Sequence, residues 1–239
     1  DARILTRANL GRMRPRLALV KILASGITIG SGGSAGREGP IVQIGSSIGS
    51  TVAHIMRAPV MQRRTFVGCG AAAGIAATFN APIAGVLFAV EVILGDFGLA
   101  TFSPLVLSSV TATTISRHYF GDFPAFVIPG YSLVSLWELC FYPLLGMAAG
   151  LAAVLFIAAL YKTEDVFAAL PVPECFKPAL GGLLLGFLIL QWPHVFGVGY
   201  GAINMSLKNQ MPALLLLSLV FIKILALSLI HISEPTRPY

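Results

Sequence analysis

The sequence predicts an all-α, polytopic membrane protein. Its 239 residues are 56% hydrophobic and only 11% charged, whereas a soluble domain carries about 25% charged residues. The mean hydropathy is +0.84. Gly, Pro and short charged runs divide the apolar residues into segments, several of them shorter than the ~20 residues that a simple membrane span needs. Short, broken helices of this kind are typical of transporters whose binding site lies near the middle of the bilayer.

The helices are predicted from the apolar segments in chain order. Four short candidates come first, and Lys21 interrupts the earliest of them. Asn80 can cap the third candidate, and Pro82 can open the fourth because a first-turn proline loses no helical hydrogen bond. The eight predicted helices cover residues 17–29, 41–56, 66–79, 82–93, 99–115, 133–160, 179–191 and 212–230, and residues 121–130 and 196–201 are predicted as loops.

Charge, cysteine and histidine placement excludes several classes of function. The net charge is +6, and the arginines cluster beside apolar segments, which is typical of anchors at the membrane surface. No aromatic side chains are interleaved with them, so we expect no nucleic-acid partner. The cysteines and histidines show no disulfide or metal spacing. We therefore expect no enzyme activity, no metal and no cofactor. The residues concerned are Arg3, Arg7, Arg12, Arg14, Arg16, Arg57, Arg63, Arg64, Cys69, Cys140, Cys175, His54, His118, His194 and His231.

A glycine-rich stretch at residues 30–40 is the most informative part of the chain. Five of its eleven residues are Gly, and its only charges are Arg37 and Glu38. Charged groups at membrane depth are costly and are usually functional. A helix that begins near Gly39 or Pro40 would point its positive end at the loop, which makes an anion site. The residues alone leave a plain packing loop equally open, and a phosphate-binding P-loop is disfavoured because the Gly-Lys-Ser/Thr ending is missing.

Two motifs resemble the CLC family of chloride channels and chloride/proton antiporters. The first is Gly36-Arg37-Glu38-Gly39-Pro40 with Val42-Gln43-Ile44-Gly45, and the second runs from Gly70 to Glu91. The resemblance extends from about residue 14 to residue 226. It implies an inverted-repeat fold, although no internal repeat is evident in the sequence. Residues 1–226 would then be the central part of a CLC transmembrane domain, with most of the first repeat ending near 120 and the second starting near 132.

The resemblance implies roles for particular residues. Glu38 matches the family's gating glutamate, which in exchangers also carries the proton. The backbone around Arg37, Glu38, Gly39 and Pro40 would supply donors to the anion, with the Arg37 side chain paired or peripheral. The alternative for Glu38 is a structural pair with Arg37. Glu91 is a possible secondary site, or a structural residue, because it matches the first of two acidic residues in some exchangers. The second matches Val92 here.

The predicted function is passive, voltage-gated-type chloride transport gated by Glu38, because Val92 interrupts the familiar proton route. The alternatives are a secondary-active chloride/proton antiporter and a truncated fragment without function. The expected partners are chloride or another small anion, a proton and the lipid bilayer. The resemblance also implies a second copy in a homodimer whose interface involves residues 82–118. We expect the cell membrane of a prokaryote. Residues 227–239 are predicted to be a non-native tail, because they resemble the translation of a sequencing-library adapter.

Overall fold

The computed structural model describes residues 13–95, 97–126, 128–130, 135–173 and 176–230, and every regular element among them is helical. This agrees with the predicted all-α class. The α-helices are α1 (Arg16–Gly30), α2 (Glu38–Ile55), α3 (Val60–Phe79), α4 (Pro82–Phe88), α5 (Leu99–Phe120), α6 (Phe141–Ala168), α7 (Lys177–Gln191), α8 (Tyr200–Leu207) and α9 (Ala213–Ile230). A π-helical segment, Ala89–Leu94, extends α4, and 3₁₀ turns at Leu136–Cys140 and Pro193–Val195 precede α6 and α8.

Two helices extend beyond their predicted ends. Helix α6 begins at Phe141 and ends at Ala168, whereas the prediction was 133–160, and Leu136–Cys140 forms a 3₁₀ turn before it. Helix α5 continues to Phe120 instead of ending at residue 115. Both helices run on through polar residues at their ends, since long polar side chains can reach water from a helix at the membrane surface.

Two further stretches differ from the sequence prediction. Helix α3 begins at Val60, six residues before the predicted start, because the polar residues Gln62, Arg63 and Arg64 occupy its first turns rather than a loop. The predicted loop at residues 196–201 is shorter than expected. Gly199 adopts φ +90° and starts α8 at Tyr200, since glycine enters left-handed backbone without a steric cost.

The α3–α4 junction follows the prediction closely. Asn80 is the C-cap of α3 in left-handed conformation, with φ 56°, and Pro82 is the first residue of α4. The Asn80 amide donates to Asp122 Oδ1 at 2.7 Å, and its oxygen accepts from Arg117 Nε at 2.6 Å. Arg117 and Asp122 also pair with each other at 3.1 Å. This polar cluster joins the end of α5 to the turn between α3 and α4.

The chain folds into two compact units. The first contains the described residues within Asp1–Thr28 and Gly36–Ala125. Helix α3 is its centre and packs against α2, α4 and α5. Val67, Ala71 and Ala72 of α3 are fully buried beside Leu105 of α5. Three serines of α5 donate to main-chain carbonyls of the neighbouring helices at 2.6–3.0 Å, namely Ser108 to Cys69, Ser109 to Pro82 and Ser116 to Ala77.

The second unit contains the described residues within Ile29–Ala35 and Phe126–Tyr239. Helix α9 is its centre and packs against α6, α7 and the 3₁₀ turn Pro193–Val195. Its core is small, consisting of Leu185, Val195 and Ala226 with partly buried neighbours. Helix α9 continues without a break to Ile230, so residues 227–230 of the predicted non-native tail are helical, and residues 231–239 lie outside the described residues.

Three helical stretches among the described residues are long and apolar enough to cross a membrane. They are Leu99–Phe120, Leu136–Ala168 and Ala213–Ile230. Pro82–Leu94 and Lys177–Gln191 are apolar but shorter. The fold therefore combines full-length spans with the short helices that the sequence predicts for a multi-pass membrane protein.

Candidate functional site

The N-terminus of α2 carries the predicted gating residue. Glu38 is the first residue of this 18-residue helix and its side chain is partly buried. Its carboxylate folds back over Gly36, where Oε2 occupies the position that a Cβ of residue 36 would need. Gly36 therefore makes room for the Glu38 carboxylate, and a larger residue there would compete with it.

The start of α2 also offers main-chain donors. The first N–H groups of a helix have no partner within the helix, and its dipole favours an anion at that end. Pro40 carries no N–H, and the Ile41 N–H donates to the Arg37 carbonyl at 3.1 Å. Of the four residues predicted to bind the anion through the backbone, Arg37, Glu38 and Gly39 carry a main-chain N–H, whereas Pro40 has none and can only shape the turn.

Arg37 is anchored to the end of α3. Its Nη2 donates to the Thr78 carbonyl at 3.5 Å, a long contact. Its guanidinium carbon lies 5.7 Å from the centre of the Phe79 ring, a distance suited to a cation–π interaction. The side chain is therefore held by two groups at the end of α3. Its charge adds positive potential near the α2 N-terminus while the guanidinium is held by protein groups.

Glu91 lies in a different local structure from the regular helix that the sequence predicts. The six residues Ala89–Leu94 are π-helical, a form that is rare and that occurs frequently at functional sites. Ala89, Val90, Ile93 and Leu94 are buried, whereas Glu91 and Val92 are on the exposed side. The wider turn thus directs the four buried residues to the core and leaves Glu91 and Val92 at the surface of this unit.

These features define what the site can do chemically. A helix N-terminus with a flexible carboxylate beside it can hold either its own carboxylate or an external anion, but not both in one position. Weak binding through dipoles permits rapid entry and exit of an anion. Among the described residues, no group of three or more His, Cys, Asp or Glu side chains is arranged to hold a metal ion.

One residue of the second unit, Lys223, was not predicted from the sequence as a functional candidate. It is a charged residue in the middle of the apolar helix α9, and its ammonium donates to the Ser34 hydroxyl at 2.7 Å. A short sequence repeat draws attention to this lysine. The tetrapeptide Lys21-Ile22-Leu23-Ala24 of α1 recurs as Lys223-Ile224-Leu225-Ala226 in α9.

Comparison with known proteins gives consistent matches. The family model described as voltage gated chloride channel matches residues 3–235. A protein named as a ClcB-like chloride channel from Ralstonia nicotianae is 40% identical over 198 residues, which cover 81% of this chain and 46% of the relative. Chloride channel protein CLC-e of Arabidopsis thaliana is 33% identical over 242 residues, covering 92% of this chain and 34% of the relative. The chain thus spans half or less of the length of these relatives.

Two solved structures have the same fold. A slow cyanobacterial Cl⁻/H⁺ antiporter is 30% identical, with a TM-score of 0.81 over 91% of this chain and 52% of its own. A CLC-type fluoride/proton antiporter is 24% identical, with a TM-score of 0.82 over 95% of this chain and 58% of its own, and this second likeness concerns the fold alone. With the two motifs and the helical architecture, these matches lead to one conclusion. The chain is part of an integral, multi-pass membrane protein and belongs to the voltage-gated chloride channel (CLC) family.

Proposed function

We propose that the protein exchanges a small anion, with chloride as the first candidate, for protons across the membrane, and that Glu38 is both its gate and its proton carrier. The observation that carries the proposal is the Glu38 carboxylate folded over Gly36 at the start of α2. Its context supports exchange, since a relative of solved structure that is 30% identical is a Cl⁻/H⁺ antiporter.

The mechanism is a competition for one position. Ionised Glu38 occupies the anion position beside the α2 N-terminus and closes the path. An arriving anion or a proton removes this block: the anion displaces the carboxylate, and the proton neutralises it and weakens its attraction to the helix dipole. Because the same carboxyl group alternates between blocking the anion and holding a proton, the movements of the two ions are linked.

Main-chain donors rather than side-chain charges would hold the anion. The N–H groups of Arg37, Glu38 and Gly39 are the candidates. Arg37 contributes potential through space, because its guanidinium is held by Thr78 and Phe79. A full charge in direct contact would slow anion release, and conduction requires weak binding.

Glu91 is the candidate for a second proton position. It lies on the exposed side of the π-helical segment, and the adjacent Val92 has no titratable group. A proton route through this segment would then use Glu91, and the whole protein would work as a homodimer in the bilayer.

A passive chloride channel is the second candidate. Val92 favours it, because a carboxylate is missing where the resemblance would place the inner proton-transfer residue. Curated relatives are also named as chloride channels. In that case Glu38 would gate the anion path without coupling it to protons.

The deciding experiment is anion flux with simultaneous pH recording, using the full-length gene product in liposomes under a chloride gradient. Exchange predicts that the gradient drives protons uphill in the opposite direction, and that Glu38→Gln abolishes this coupling while anions still pass. Chloride flux without proton pumping would establish the channel instead. If correctly folded protein shows no anion flux, both the exchanger and the channel proposals are wrong.

A further inference from the structure

Lys223 is an ionisable residue in a membrane-competent helix. It lies in Ala213–Ile230, a helix long and apolar enough to span a bilayer, and its side chain is partly buried. A charged side chain in such a helix is costly and commonly marks a functional site. The hydrogen-bond acceptors of the Lys223 ammonium therefore indicate the role of its charge.

The Lys223 ammonium has three oxygen partners, all within the second unit. It donates to the Ser34 hydroxyl at 2.7 Å, to the Gly197 carbonyl at 3.3 Å and to the Val195 carbonyl at 3.4 Å. An ammonium has three N–H donors, so these three acceptors match its capacity. All three are uncharged, and the positive charge is therefore solvated by the protein without being neutralised by these groups.

The three acceptors belong to two chain segments that meet at Lys223. Ser34 is fully buried in the glycine-rich segment that follows α1. Val195 and Gly197 belong to the loop between α7 and α8, and the Gly197 N–H donates to the Gly32 carbonyl at 3.2 Å. Gly32 has φ +100°, and the Phe196 ring packs where its Cβ would be. We call this arrangement the lysine clamp, defined by Gly32, Ser34, Phe196, Gly197 and Lys223.

The clamp holds Ser34, which lies shortly before the proposed gate in the sequence. Ser34 precedes Glu38 by four residues, and both belong to the glycine-rich stretch at residues 30–40. A direct anion ligand is a poorer interpretation of Lys223, because its three donors already have partners. Since all three acceptors are protein oxygens, the contacts of Lys223 agree better with a role in positioning the segment that contains Ser34 than with direct anion binding.

We propose that Lys223 is a positioning residue of the anion path, which it serves by tying the glycine-rich segment before Glu38 to the loop at residues 195–199. This inference rests on the proposed function, but its structural part can be tested separately. Lys223→Met removes the ammonium, whereas Ser34→Ala removes a partner and keeps the charge. If positioning is the role, the two variants act through the same contact, and their effects are not additive.

The test combines anion flux with a structural reporter in the full-length protein. The reporter is Ala35→Cys, placed beside Ser34 in a background with Cys69, Cys140 and Cys175 replaced by Ala, and its rate of labelling by a thiol reagent is measured. We expect Lys223→Met to reduce flux at least about tenfold, the scale on which small misplacements of a functional group act, and to speed labelling of residue 35.

Ser34→Ala should change both readouts in the same direction by a smaller factor, and Lys223→Arg should restore part of the flux. Lys208→Met, at an exposed position after α8, is the matched control.

The outcomes separate the two proposals. Faster labelling in both variants, with a non-additive double mutant, supports the clamp. Unchanged labelling in Lys223→Met overturns it. Loss of flux in Lys223→Met with a silent Ser34→Ala would also overturn it, in favour of a purely electrostatic role. If the unmodified protein shows no anion flux, the proposed function fails, while the labelling rates still decide whether the clamp exists.

Discussion

The Glu38 carboxylate occupies the space in which Gly36 would carry a side chain. The two residues are separated only by Arg37, and the contact arises because the chain turns into α2 at this point. The position of the carboxylate therefore depends on residue 36 being glycine. The atom in the way is the end of a flexible side chain, so a larger residue would displace Glu38 rather than unfold the turn.

Gly36→Ala is therefore expected to open the proposed gate. The added methyl group would push the Glu38 carboxylate out of its position, and anion flux should rise above that of the unmodified protein, with weaker coupling to protons. Flux and pH recording in liposomes measures both effects. Gly30→Ala is the control, since nothing lies within 4 Å of a Cβ at Gly30. A variant at residue 36 with unchanged flux and coupling would contradict this view of the site.

Substitutions at the crossing of α2 and α3 should strongly destabilise the fold. A Cβ at Gly45 would overlap the Gly70 carbonyl, and a Cβ at Gly70 would overlap the Gly45 carbonyl. These are backbone atoms that cannot move aside, so Gly45→Ala or Gly70→Ala should destabilise the protein by about 3 kcal/mol or more. Thermal stability in detergent, followed by size-exclusion chromatography, measures the loss. Gly146→Ala in α6 is the control, because its Cβ would meet no atom within 4 Å, and it should behave like the unmodified protein.

Two buried serines are expected to respond oppositely to replacement by alanine. Ser109 is fully buried and donates to the Pro82 carbonyl at 2.6 Å, so Ser109→Ala should cost about 0.5–1.5 kcal/mol. Ser46 is also fully buried, but its hydroxyl has no hydrogen-bond partner among the described residues. Ser46→Ala should leave the thermal midpoint unchanged or raise it, because it removes a desolvated group that makes no bond. A midpoint lowered as much as that of Ser109→Ala would refute this prediction.

Asn80 should tolerate glycine better than alanine. Its φ of 56° is strained for a residue with a Cβ, at a cost of about 1–2 kcal/mol, and is free of that strain for glycine. Asn80→Ala loses the bonds to Asp122 and Arg117 as well as the favourable backbone preference, whereas Asn80→Gly loses only the bonds. The side chains of Arg117 and Asp122 are 46% and 67% exposed, respectively, so those bonds contribute less than about 1 kcal/mol. Unfolding midpoints of the two variants give the comparison, and equal losses would show that backbone conformation does not matter here.

Much of the fold could be predicted from local sequence because its signals are local. Asn80 and Pro82 mark a helix break through their own backbone preferences, and the structure has it at that position. The apolar segments predict nearly every helix, since the bilayer requires apolar side chains and backbone N–H and C=O groups that are hydrogen-bonded within the protein. The start of α3 was missed because Arg63 and Arg64 suggested a flank, although a helix can continue into the membrane surface with charged residues in its first turns.

The candidate site could be predicted only in part. Gly36, Arg37 and Glu38 are adjacent in sequence, so their chemistry was evident before their geometry. The partners of Arg37, Thr78 and Phe79, come from another helix and have no signal of their own in the sequence. The π-helical turn at Glu91 was missed as well, because such a turn reflects how the flanking apolar residues pack.

The sequence by itself determined that this is a helical membrane protein of the CLC family with an acidic residue at a helix start. Composition, helix breakers and short motifs act over a few residues, and they can be recognised without a structure. Only the tertiary structure decided that Lys223 meets Ser34, which lies 189 residues away along the chain. An ammonium in an apolar helix needs oxygen partners, and the packing of distant segments determines which oxygens it reaches.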